Sequence, residues 1–281
     1  MMGNVFGAKS YEYAVGCIKA TSHPPLTPEQ LRRLSDADEH DLEKLLDEFG
    51  WGKGIEGKLH ERIEGEVKYA ISFIKDISPD ETLTDLLFFE EDAGNLKLFI
   101  KGRLLGRDVT SLANESGSIP VEVIRGSVEA WDFTLISETV NDILKDYEKE
   151  KDPFILSMAA DRAIFTHTLE KAKKQNRALY EMLIKYAEAK NRIAEARLKS
   201  VGGDTGKIRS LLLPVSFDGI DTEKFNADEI IKGEKDKIAR AMYDLRSGEN
   251  FAPIAEYFFA KKEEGMALRR LLAGLNSRGK E

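Results

Sequence analysis

Cysteine is nearly missing from this sequence: Cys17 stands alone among 281 residues, so no internal disulfide can form. Its apolar setting, Tyr13-Ala-Val-Gly-Cys17-Ile18, reads as that of a small buried residue, and so low a cysteine count fits a reducing cytosol. Histidine is scarce as well. A carboxylate-bridged di-iron bundle needs histidines three residues after a glutamate, but the residues three before His23, His40, His60 and His167 are Ala20, Ala37, Gly57 and Ile164. The four histidines are therefore expected at the surface or in caps. Basic charge is in deficit, with a net charge of −8 and a pI near 5.3, which speaks against nucleic acid as a partner. No stretch reaches the ~18 uninterrupted apolar residues of a membrane span, and Met1–Ser10 lacks the basic start and apolar run of a signal peptide. Contact with a membrane machine is then expected to pass through another protein. β-branched residues never cluster, and no sustained period-two alternation occurs, so no sheet is expected.

Motifs for nucleotide chemistry are also lacking. Gly202-Gly-Asp-Thr-Gly206-Lys207 faintly suggests a phosphate loop, but Val201 stands where the first glycine belongs and Ile208 where serine or threonine belongs. Glycine at that point is expected to end a helix. With no zinc spacing and no nucleophile elbow, the residues themselves point to no catalytic set, cofactor, metal or small-molecule ligand.

What the sequence has is amphipathic helix. Apolar residues make up 42% and charged residues 33%, enough for a core and a well-solvated surface. A helix over Ser10–Ala20 ends at Pro24-Pro25, and Thr27-Pro28-Glu29-Gln30 restarts one with a capping box. Asp38 caps the next, which carries Leu42, Leu45 and Leu46; Phe49-Gly-Trp-Gly-Lys-Gly54 reads as a flexible break. Leu59, Ile63, Val67, Ala70, Ile71 and Ile74 recur at helical spacing. A second long helix is expected over Glu81–Leu105, apolar nearly all round. Two more follow, from Pro153 and from Arg177 to Val201, then helices near Thr222–Lys232, Glu234–Leu245 and Phe251–Leu275. The fold class expected is all-α, built from antiparallel hairpins.

Three of the long helices share a weak repeat: Phe89-Glu-Glu-Asp92-Ala-Gly-Asn95, Lys185-Tyr-Ala-Glu188-Ala-Lys-Asn191, and Phe259-Ala-Lys-Lys-Glu-Glu264-Gly-Met-Ala267-Leu-Arg269. Each sets a carboxylate in mid-helix, and two set an asparagine one turn later on the same face. Such polar groups in apolar helices serve to bond a neighbouring segment, contact a partner or do chemistry. Asp92, Asn95, Glu188, Asn191, Glu264 and Arg269 are the expected structural polar set. Lys97, Lys101, Arg103 and Arg107 form a basic row on an acidic chain and are the candidate partner-facing residues.

These motifs, in this order, resemble the C-type connector of bacterial and archaeal V/A-type rotary ATPases, a relative of the eukaryotic V-ATPase d component. The resemblance rests on Tyr13–Ala20, Asp92–Gly106, Gly117-Ser-Ile-Pro120, Asp152–Phe165, Glu188 with Asn191, and Ile254–Leu272. Ala267 departs from it, standing where the third motif usually carries asparagine. The resemblance implies one domain of three related helical bundles, approximately 1–107, 108–203 and 204–281, in a pseudo-threefold funnel. It also implies a non-catalytic central-stalk connector, cytoplasmic and peripheral to the membrane. Its partners would be the D and F proteins of the central shaft and the proteolipid rotor ring, and it would transmit torque for ATP-coupled H+ or Na+ transport. A helical scaffold or adaptor of another multi-subunit complex shares the same composition and is the alternative.

Overall fold

The computed structural model describes residues 9–206, 208–220, 226–244 and 251–278, and among them the regular structure is helical throughout, with no strand. Two compact units result: Met1–Thr84 with Arg246–Glu281, and Asp85–Leu245.

In the first unit, helices α1 (Tyr11–Ala20), α2 (Pro28–Ser35), α3 (Glu39–Glu48) and α4 (Leu59–Ile77) join α12 (Ala252–Arg278), and the short α5 (Glu81–Asp85) runs up to the boundary. The caps act as the sequence predicts. Thr27 accepts from the Gln30 N–H while Gln30 reaches back to the Thr27 N–H, and Asp38 accepts from Asp41. Helices α4 and α12 pack along each other, with α1 against both. Leu26, Leu34, Leu42, Leu46, Trp51, Ile63 and Leu268 form a core cluster, each aliphatic side chain contributing about 1.5–3 kcal/mol on burial. The segment after α3 is an ordered turn, not a flexible break. Gly50, Gly52 and Gly54 take φ of 69°, 69° and 80°, a left-handed region costly for other residues, and they swing Trp51 into the core at 2% exposure.

The second unit holds α6 (Phe89–Leu105), α7 (Val121–Ala130), α8 (Glu138–Leu144), α9 (Pro153–Gln175), α10 (Arg177–Ser200) and α11 (Ala227–Asp244). Helix α9 is central, touching α6, α8 and α10, and α11 lies along α10. One extended residue, Asn176, separates α9 from α10, and its side chain caps α10 by accepting from the Leu179 N–H at 2.8 Å. Helix α10 ends at Gly202 in the left-handed region, where the Gly202 and Gly203 N–H groups bond back to the Lys199 and Leu198 carbonyls. The glycines of the faint phosphate loop thus form a helix terminus; Lys207 lies outside the described residues.

Two helix boundaries differ from the sequence reading. The helix expected over 81–105 is split into α5, a 3₁₀ turn Leu86–Phe88, and α6. Leu86, Leu87 and Phe88 are all buried, and the tighter turn reorients three consecutive apolar side chains that a continuous helix would spread 100° apart. The two helices expected near 222–232 and 234–245 are one over 227–244, because Gly233 is accommodated inside it; residues 221–225 and 245 lie outside the described residues.

Candidate docking site

The mid-helix polar residues act as clamps on loop backbone. Asn95 accepts from the Asn114 N–H at 2.8 Å and donates to the Asn114 carbonyl at 2.8 Å. Asn191 does the same to Leu213, accepting at 2.8 Å and donating at 3.0 Å. A side-chain amide suits this task, since it offers one acceptor and one donor in a plane, as the peptide group does. One turn earlier, Asp92 accepts from the Ser118 and Ile119 N–H groups and the Ser118 hydroxyl, at 2.8, 3.0 and 2.5 Å. Burial outweighs these bonds and pushes its carboxyl up to about 6. Gly117 lies so close that a Cβ there would meet Asp92 Oδ1, so the loop needs a glycine. Glu188, the counterpart one turn before Asn191, is half-buried.

The first unit holds a third clamp of different chemistry. Glu264 accepts from the Leu26 N–H at 2.5 Å and from Trp51 Nε1 at 2.8 Å. A carboxylate has no donor for a carbonyl, and Lys261, one turn earlier, lies 3.5 Å from the Pro24 carbonyl. Lys261 also sits 2.5 Å from Glu66 and 3.4 Å from Glu264, while His23 Nδ1 lies 2.8 Å from the other Glu66 oxygen. Both Glu66 and Lys261 are 0% exposed, and burial raises the Glu264 carboxyl against the pull of Lys261. The Tyr257 hydroxyl donates to the His23 carbonyl at 3.0 Å. The segment His23–Leu26 is thereby bound to α4 and α12. Sequence reading missed this network; its one visible trace was a lysine and glutamates in the apolar run Ile254–Leu272. Arg269 is exposed and lies outside it.

The histidines depart from expectation. His23 is buried in the network just described, and His167 is half-buried, its imidazole pulled down to about 4 by burial and then by Lys171. His60 is exposed, and the side chain of His40 lies outside the described residues. Cys17 is half-buried.

The basic row is divided by the geometry of α6. Lys97 pairs with Asp161 of α9 at 2.5 Å. Arg103, six residues on and so turned well away from Lys97, donates to the Val128 carbonyl at 2.5 Å and lies 4.8 Å over the Trp131 ring. Lys101 and Arg107 are exposed. The four cations do not form one surface. Lys97 instead faces a half-open groove of about 700 Å³ between α6, α9 and α10, with Leu211–Leu213 as a further wall. An aromatic trio floors it: Phe89 meets Phe165 and Tyr186 edge-on at 5.6 and 5.3 Å. The Tyr186 hydroxyl donates to Glu90, to which Lys190 also donates at 3.2 Å. Burial, reinforced by Glu90, holds the phenol well above its ordinary value, so it stays a donor. Among the described residues no group of three or more histidine, cysteine, aspartate or glutamate side chains is placed to hold a metal ion.

The model of one family, described as ATP synthase (C/AC39) subunit, matches residues 14–273. The chain belongs to that family, the C/d connector family of V/A-type ATPases. The match takes in all three clamps and the groove. No curated protein matches the chain. Among the described residues no helix is long and apolar enough to cross a membrane, which fits a peripheral subunit of the membrane-associated complex.

Proposed function

We propose that this protein is the non-catalytic connector of the central stalk. It seats the shaft, built from the D and F proteins, on the proteolipid ring and transmits torque during ATP-coupled transport of H+ or Na+. In this reading it is cytoplasmic and reaches the membrane through the ring alone. The observation that carries the proposal is the family match over 14–273. The physical support is the clamps. Torque passes without loss only through a body that does not shear internally, and a satisfied buried polar network fixes one packing where apolar contact alone permits sliding. Each clamp binds a long helix to a loop that lies beside a proline: Pro120, Pro214 and Pro24-Pro25. That recurrence supports three related helical bundles, near 1–107, 108–203 and 204–281, in a funnel with pseudo-threefold likeness. Because Glu264 clamps Leu26, the third bundle would borrow its loop from the start of the chain.

The test is capture by the immobilised full chain of the purified D/F shaft and, separately, of the purified proteolipid ring. Both are expected to be retained. Retention of neither would overturn the proposal.

A further inference from the structure

The groove of the second unit has the dimensions and lining of a helix seat. On α9 its lining residues are Phe154, Met158, Asp161 and Phe165, at steps of three and four that form one stripe ~16 Å long. On α10 they are Tyr186, Lys190, Ala194, Arg197 and Val201, a stripe of ~22 Å. Because α9 and α10 run antiparallel from Asn176, Phe154 and Val201 come at the same open end, and they are 51% and 77% exposed. Isolated exposed apolar residues are ordinary; two large ones at the mouth of one apolar groove mark an interaction surface.

Charge then distinguishes what the groove would take. Lys97 is matched by Asp161 at 2.5 Å and Lys190 by Glu90 at 3.2 Å. Arg197 is exposed on the same lining, and its guanidinium has no hydrogen-bond or ion-pair partner among the described residues. The groove therefore carries one unmatched positive charge, one turn from the exposed Val201. We propose that it seats an amphipathic α-helix of three to four turns, with an apolar stripe directed at Phe154, Val201 and the aromatic floor and a carboxylate beside Arg197. Resting on the connector reading, that helix belongs to the shaft. The Asn191 clamp serves the seat directly, because Asn191 lines the groove while it holds Leu213, part of the opposite wall. A helix-in-groove complex draws its affinity from a few apolar anchors, and the charge selects orientation and rate of encounter.

The experiment titrates the purified D/F shaft against the full chain and against Phe154→Glu, Val201→Glu, Arg197→Gln and Arg197→Glu variants, with far-ultraviolet circular dichroism to confirm intact helicity. Both apolar-to-glutamate changes are expected to weaken binding by about tenfold or more. Arg197→Glu is expected to weaken it more than Arg197→Gln, by a margin that shrinks as salt rises. A benzophenone side chain at position 154 of the otherwise unaltered chain is expected to cross-link to a helical stretch of the shaft. If the wild-type chain binds the shaft and the variants bind within about twofold of it, the seat is overturned while the connector reading stands. Cross-linking to the proteolipid ring or to added lipid would likewise overturn the seat. Failure of the wild-type chain to bind the shaft at all would overturn both.

Discussion

Asn191→Leu removes a clamp with little change in volume, so its cost can be worked from the bonds alone. Asn191 is 1% exposed, and its amide holds both the N–H and the carbonyl of Leu213. Leucine fills the space and satisfies neither. A buried polar group left without a partner costs about 1–3 kcal/mol, and one that water can reach costs nearer 1. Leu213 is half-buried, so the two groups together should lose about 2–3 kcal/mol. Two measurements follow. Amide exchange at Leu213 should quicken by roughly 30- to 150-fold if local opening governs it. Unfolding of the second unit should shift its urea midpoint down by about 1 M. The chain has two tryptophans, Trp51 in the first unit and Trp131 in the second, so a Trp51→Phe background leaves Trp131 to report the second unit alone. Asn95→Leu is the control: it should speed exchange at Asn114 and leave Leu213 unchanged. Wild-type exchange at Leu213 together with an unmoved midpoint would refute the clamp argument.

Lys261→Met leaves Glu66 and Glu264 buried without their lysine and should destabilise the first unit by about 3–5 kcal/mol, read from Trp51 fluorescence in denaturant. Asp92 sets a pH dependence. A carboxyl raised from 3.8 to about 6 stabilises the fold in its neutral form, so its contribution is full below about pH 4 and lost as pH rises through about 6. The total is about 3 kcal/mol, and Asp92→Asn should flatten that slope in a series of melts across this range. Gly52→Ala places a Cβ on a residue at φ 69° and should cost about 1 kcal/mol in thermal unfolding. Arg103→Glu should lower the melting temperature, because it breaks the contact to Val128 and Trp131. Lys101→Glu and Arg107→Glu, both exposed, should leave it within about 1–2 °C of wild type.

Local chemistry was the legible part of this sequence. The Thr27–Gln30 capping box, the Asp38 cap and the helix start at Pro153 depend on neighbours three or four residues away, and each is present in the fold. The all-helical class followed from periodicity for the same reason. Asp92, Asn95 and Asn191 stood out as polar groups in apolar helices, but what they hold lies about 20 residues further along, and no short-range rule identifies it. The first-unit network was harder still, because Leu26 and Glu264 are 238 residues apart in the chain. His23 gave no signal at all, since a histidine before two prolines looks like any loop residue. The basic row shows a further failing: four cations close in sequence read as one surface until the helical turn between Lys97 and Arg103 is counted. The break at Leu86–Phe88 escaped because an all-apolar run has no preferred face from which to detect a change of direction.

The most direct test is sedimentation of the proteolipid ring and the D/F shaft mixed at matched concentrations, with and without this chain. A connector predicts that ring and shaft move as separate species in its absence and as one heavier complex holding all three components in its presence. Joining of ring and shaft to the same extent without the chain, or persistent separation with it, would contradict the claim that this protein is the coupling between them.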